Sequence, residues 1–124
     1  AQSLVIFDDL ITFKKIQSDI EQFFIRGRKI GGGITCVYIS QNYYSIPKPI
    51  RSQFTHVILK KIGSVKDLTM ILREISTDLN KEQLLRLYQK ATENFLGFLM
   101  LDLSTTPDKR YRSGYFEIIN PHDF

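Results

Sequence analysis

Asp8 and Asp9 stand side by side at the end of the apolar run Leu4-Val5-Ile6-Phe7. Carboxylates in a poorly solvated place need a reason to stay charged, and a Mg2+ ion bound to nucleotide phosphates supplies one. The plainer reading is an acidic turn after a strand, or an aspartate that caps the next helix. Gln41 holds a similar position, in the polar stretch Ser40-Gln41-Asn42 that closes the run Ile34-Thr35-Cys36-Val37-Tyr38-Ile39. An amide donates to phosphate and accepts from water at once, which suits a sensor of nucleotide state; a polar residue closing a strand is the alternative.

The other candidates are basic or aromatic. Arg26, Arg28 and Lys29 flank the end of a helical pattern, and Arg51 follows Pro47-Lys48-Pro49-Ile50, whose prolines stiffen the loop. Tyr43 and Tyr44 are placed to stack on bases or a partner, or to sit half-buried in their loop. Lys109, Arg110 and Arg112 are candidate contacts for DNA phosphates, or else a charged hairpin in water. Asp102 closes a strand and is a ready partner for Arg112. The single cysteine, Cys36, lies mid-strand as a small core residue, and with two histidines it makes no metal-ligand cluster.

These residues need elements to hold them. Leu4 to Phe7 is a continuous apolar run, the pattern of a parallel strand buried on both faces. Ile16, Ile20, Phe23 and Phe24 recur at spacings of three and four, which predicts an amphipathic helix ending near Arg26-Gly27. Residues 34–39, β-branched and aromatic, predict a second buried strand. A right-handed βαβ crossover then brings Asp8, Asp9 and Gln41 to one sheet edge. Open α/β sheets bind their ligands at that edge, beyond the carboxyl ends of the strands. Further on, Arg51-Ser52-Gln53-Phe54 predicts a short helical turn and His56 to Leu59 a third buried strand. Ser64 with Asp67 opens a helix with Leu68, Ile71, Leu72 and Ile75 inward, and Asn80 caps another with Leu84, Leu85, Leu87 and Tyr88 inward. Residues 97–103 predict a fourth strand, and Thr106-Pro107-Asp108 turns the chain into a last strand over 115–119. The expected class is α/β, with strands parallel in the first half and an antiparallel edge at the end.

In this order and spacing, Leu4-Val5-Ile6-Phe7-Asp8-Asp9, Gly27-Arg28-Lys29, Val37 to Tyr43 and Ile46-Pro47-Lys48-Pro49-Ile50-Arg51 resemble the FtsK–HerA superfamily of P-loop ATPases. The branch most resembled is the poxvirus-type DNA-packaging ATPases of large DNA viruses, with their relatives in virophages and Polinton-like elements. Leu87 to Thr92, Phe98 to Asp102 and Arg110-Tyr111-Arg112 resemble the same branch, so the likeness spans nearly the whole chain. It implies a P-loop NTPase-like sheet, mostly parallel with an antiparallel C-terminal edge. It further implies that Asp8, in a Walker B strand, holds Mg2+ through water, and that Asp9 orients the attacking water, although the family often has Glu there. Gln41 would sense the γ-phosphate. Arg28 matches a finger that acts on the neighbouring subunit's ATP, with Lys29 where this branch usually has His; a solvated basic helix end is the alternative. Arg26 and Arg51 are rival intersubunit arginines. The implied cofactors are ATP and Mg2+. The implied partners are double-stranded DNA, further copies in a ring, and capsid or portal-vertex proteins. The implied location is the assembly site inside a virus-infected host cell, and the virion.

One departure from the family is large. No Gly-x-x-x-x-Gly-Lys-Ser/Thr occurs, and Gly31-Gly32-Gly33 leads into a strand where a phosphate loop leads into a helix. The expectation is that residues 1–124 form the C-terminal part of one P-loop ATPase domain, from the Walker B strand to the C-terminal hairpin. The P-loop strand and helix would lie upstream. Without the Lys and backbone N–H cradle these residues alone should hydrolyse no ATP. The alternative function is a non-catalytic assembly or DNA-binding module derived from an ATPase.

The size, 124 residues with 43% hydrophobic, fits one domain or part of one with a real core. No apolar run is long enough to cross a bilayer, so no membrane partner is expected. Residues 1–63 hold nine Lys/Arg against four Asp/Glu, and residues 64–124 hold eight against nine. The basic excess therefore lies in the half with the candidate nucleotide edge, which is compatible with phosphate partners.

Overall fold

Strand β1 (Ser3–Asp8) and strand β2 (Ile34–Ile39) pair in parallel, in a register running from Ser3 opposite Ile34 to Asp8 opposite Ile39. Among the described residues one α-helix, α1 (Gln17–Arg26), preceded by a 3-10 turn, lies between them, and an α-helix between two strands returns the chain to the end from which it started. The computed structural model describes residues 3–10, 13–27, 33–75 and 79–120, and it is α/β. The chain divides into two units, Ala1–Phe54 and Thr55–Phe124.

The core of the first unit is Ile20 of α1 with Ile46 and Ile50. Phe7, Leu10, Phe24, Tyr38 and Phe54 pack around it, Phe24 meeting Phe54 edge-on with ring centres 5.6 Å apart. The short helix α2 (Lys48–Arg51) starts three residues earlier than the turn expected at Arg51. Pro47 at its N-cap and Pro49 in its first turn hold φ near the helical value, which fixes the start there. Gly27 lets α1 end close to the start of β2: a Cβ on it would lie 3.1 Å from the Ile34 carbonyl oxygen, which would have to give by a few tenths of an ångström.

The two strands differ from the expectation of burial on both faces. Val5, Phe7, Cys36 and Tyr38 are half-buried on the α1 side. Leu4 and Ile6 are 61% and 54% exposed, and Val37 and Ile39 are exposed beside them. In a parallel pair, register partners share a face, so these four residues form one open apolar face. Among the described residues of this unit α1 covers only the other face.

The second unit holds a four-stranded antiparallel sheet in the order β3 (His56–Leu59), β4 (Leu99–Asp102), β5 (Tyr111–Ser113), β6 (Glu117–Ile118). This corrects the expectation of one mostly parallel sheet with antiparallel pairing confined to its C-terminal edge. Two helices, α3 (Val65–Ile75) and α4 (Lys81–Ala91), separate β3 from β4. Two successive helices bring the chain back at the opposite end, so β4 must run against β3. Leu68, Ile71 and Leu72 of α3 and Leu84, Leu87, Tyr88 and Ala91 of α4 are buried, as are Val57, Leu59, Leu99, Leu101 and Tyr111 of the sheet. The Tyr88 hydroxyl donates to the Lys60 carbonyl at 3.0 Å and accepts from the Ile62 N–H, tying the turn after β3 to α4. The final hairpin also differs. The chain reverses at 114–116, where Gly114 has φ +70°, and 107–109 forms a 3-10 turn. Tyr115 therefore lies in the turn and the last strand is only Glu117–Ile118.

Candidate functional site

β1 ends at Asp8, and the next residue, Asp9, leaves the strand with φ +56° while its N–H donates to the Ile39 carbonyl at 3.1 Å. A left-handed backbone at a non-glycine residue is strained, least so for Asp and Asn, and such residues gather at functional sites. Ile39 is the last residue of β2, and Gln41 follows two residues later. The parallel register thus brings Asp8, Asp9 and Gln41 to the carboxyl ends of neighbouring strands, and all three are exposed.

The backbone beyond each strand is held by side chains. Gln17, buried at the start of α1, donates from Nε2 to the carbonyls of Leu10 (2.8 Å) and Phe13 (3.0 Å). Its Oε1 accepts from the Tyr38 hydroxyl at 2.8 Å. One amide thereby links the segment after Asp9, the helix and β2. Burial pushes the Tyr38 phenol up, and the Gln17 hydrogen bond partly offsets it. Sequence reasoning missed Gln17, because a glutamine opening a helix reads as solvated and its partners lie up to 21 residues away. After β2, the Ser40 hydroxyl accepts from the Asn42 N–H (3.1 Å) and donates to the Asn42 carbonyl (3.0 Å). The Asn42 side chain caps the turn Tyr43–Ser45 by accepting from the Ser45 N–H at 3.3 Å.

The arginines separate. Arg26 is exposed at the last position of α1, beside Gly27 and the start of β2. That is the opposite end of β2 from Gln41, and β2 itself spans roughly 17 Å at strand rise. Arg28 lies outside the described residues. Arg51 is half-buried and carries its guanidinium carbon 5.4 Å from the Tyr43 ring centre and 4.9 Å from that of Tyr44.

In the second unit Arg112 takes the structural role weighed for it. Its Nη2 donates to Asp102 Oδ2 at 3.1 Å and its Nη1 donates to the Tyr115 carbonyl at 3.3 Å. Asp102 is buried, and its Oδ1 also accepts from the Ser104 N–H (3.0 Å) and hydroxyl and lies 3.3 Å from His56 Nε2. The Ser104 hydroxyl holds the Asp102 carboxyl below the usual range against the opposing effect of burial, helped by the Ser104 N–H, His56 and Arg112. Lys109 is exposed and Arg110 half-buried. Cys36 is half-buried where a core position was expected; its thiol lies 3.5 Å from the Phe23 carbonyl, and burial pushes that thiol up, which fits an unreactive group.

Among the described residues no three His, Cys, Asp or Glu side chains gather as metal ligands. Mg2+ takes one or two carboxylates and fills its remaining positions with water and phosphate oxygens. Asp8 therefore fits such an ion only in company with a nucleotide and the phosphate-loop hydroxyl that these residues lack. No helix among the described residues is long and apolar enough to cross a membrane. No family model, curated protein or solved structure matches this chain.

Proposed function

We propose that this chain supplies the Walker B strand and the sensor strand of a ring-forming P-loop ATPase that drives double-stranded DNA into a viral capsid. The observation that carries the reading is the parallel register of β1 on β2, with Asp9 in a left-handed backbone bonded to Ile39. It sets two adjacent carboxylates and an amide at the carboxyl edge where α/β sheets bind ligands. In this reading Asp8 orders water around Mg2+, Asp9 orients the attacking water, and Gln41 donates to a phosphate oxygen. When bound, Mg2+ neutralises charge on the phosphates.

Two further features support it. The open face of Leu4, Ile6, Val37 and Ile39 suits a parallel sheet that is covered on both sides in the complete motor. The reading assigns that cover to the segment carrying the phosphate loop. Arg26 lies at the end of the unit away from the acids, which suits an arginine region that serves a neighbour's nucleotide, and Arg28 is two residues beyond it. The motor's place would be the capsid assembly site of an infected cell.

Mixing tests the ring. Arg28→Ala and Asp9→Asn forms of the complete ATPase are each expected to be inactive, and their mixture is expected to recover part of the activity. Recovery arises where an intact Asp9 faces a neighbour's intact Arg28, and the loss on removing a finger is on the order of 10³-fold or more. Mixed rings that recover nothing would remove Arg28 from the role and pass the test to Arg26 and Arg51. The absence of a phosphate loop favours a second reading, a non-catalytic assembly or DNA-binding module. It predicts no Mg2+-dependent turnover even in the complete protein.

A further inference from the structure

The segment after Gln41 is built as a rigid mount for two tyrosines and an arginine. Ser40 and Asn42 fix its start by the hydrogen bonds described above, and Ile46 and Ile50 anchor it in the core. Pro47 and Pro49 fix the backbone between those anchors. What the mount presents is Tyr44, which is 39% exposed, set edge-to-face against Tyr43 with ring centres 5.2 Å apart, and Arg51 over both rings. Lys48, exposed, is three residues before Arg51 on α2 and so shares its side of the helix. Along the chain, residues 22–54 of this unit contain five Lys/Arg and no Asp or Glu, while Asp8 and Asp9 stand at the sheet edge that the segment leaves. An aromatic ring joined to a guanidinium has the chemistry that takes a flat base and its phosphate together.

We propose that Tyr44 and Arg51, braced by Tyr43, bind one nucleotide unit. The base stacks on the ring–guanidinium pair, and its phosphate is held by Arg51 and Lys48. The unit is either a free nucleotide or one residue of a single strand. This goes beyond the ATPase reading and needs neither Mg2+ nor a phosphate loop.

The test is direct binding to the purified chain in EDTA, so that no carboxylate-bound metal contributes. Adenosine monophosphate is titrated against tyrosine emission, which is readable because the chain has six Tyr and no Trp. A fluorescein-labelled oligothymidylate is followed by anisotropy. Binding of the mononucleotide identifies a free nucleotide as the source, and binding of the oligonucleotide alone identifies a strand. In either case Tyr44→Leu is expected to weaken affinity about tenfold or more, the usual size of a lost stacking contact. Arg51→Lys, which keeps the charge but loses the planar fork, is expected to weaken it severalfold. Lys66→Ala, at a basic residue of the other unit, is expected to change it by less than about twofold. Tyr44 is exposed, so Tyr44→Leu should fold, and an unchanged melting midpoint checks this. The proposal is overturned if neither probe binds, if Tyr44→Leu binds as tightly as the parent, or if Lys66→Ala loses as much as Arg51→Lys.

Discussion

Asp9 holds a backbone conformation that glycine would adopt without strain, and its acidic side chain is what the proposed chemistry needs. Asp9→Gly is therefore expected to raise stability by up to about 1 kcal/mol in urea unfolding, while removing turnover in the complete ATPase. A less stable Asp9→Gly would mean that the carboxylate is there for the fold. Asp102 makes the converse case, a carboxylate occupied in holding strands together. Its pKa is lowered in the folded state, chiefly by the Ser104 hydroxyl, so its stabilisation is fully present above the unfolded carboxylate value of about 3.9 and is lost as pH falls through the folded value. Unfolding of Asp102→Asn is accordingly expected to depend less on pH than the parent's below about pH 4, and equal slopes would contradict the assignment. At this scale the strand-end positions of Asp8, Asp9 and Gln41 were legible because strand ends and polar termini show in a single stretch of sequence. Gln17 was not, because its role exists only once Leu10, Phe13 and Tyr38 meet around it.

The helices were the most legible elements. Asn80 was expected to cap α4, and it does so with Gln83 in a reciprocal pair of hydrogen bonds. Asn80→Ala is expected to lower stability by about 1 kcal/mol, measured by thermal or urea unfolding. Strand partners were less legible. An apolar run such as His56 to Leu59 shows that a strand is there but not which neighbour it takes, and the count of intervening helices sets the direction. What covers a face is not legible either, since Leu4 and Ile6 carry the same apolar signal whether buried or open. The same holds for Phe95 and Phe116, which are 97% and 92% exposed in turns of the second unit. Changing either to Ser is expected to leave stability within about 0.5 kcal/mol, because almost no buried area is lost.

Across the whole molecule, the two units differ in what they hold. The first holds the acids, the amide and the aromatic–arginine mount, and the second is an antiparallel sheet closed by the Asp102 cluster. The proposed ATPase reading draws on motifs in order and on the parallel pair of strands in the first unit. The edge at Asp8, Asp9 and Gln41 is proposed to belong to an ATP-hydrolysing site completed by a phosphate loop from another segment. Its most direct test is steady-state Mg2+-dependent ATP hydrolysis by the complete protein with double-stranded DNA present, comparing the parent with Asp9→Asn and measuring nucleotide binding alongside. Turnover is expected in the parent, and in Asp9→Asn retained binding with turnover lost. An Asp9→Asn protein that turns over at the parent's rate, or a parent that shows no Mg2+-dependent turnover, would contradict the proposal.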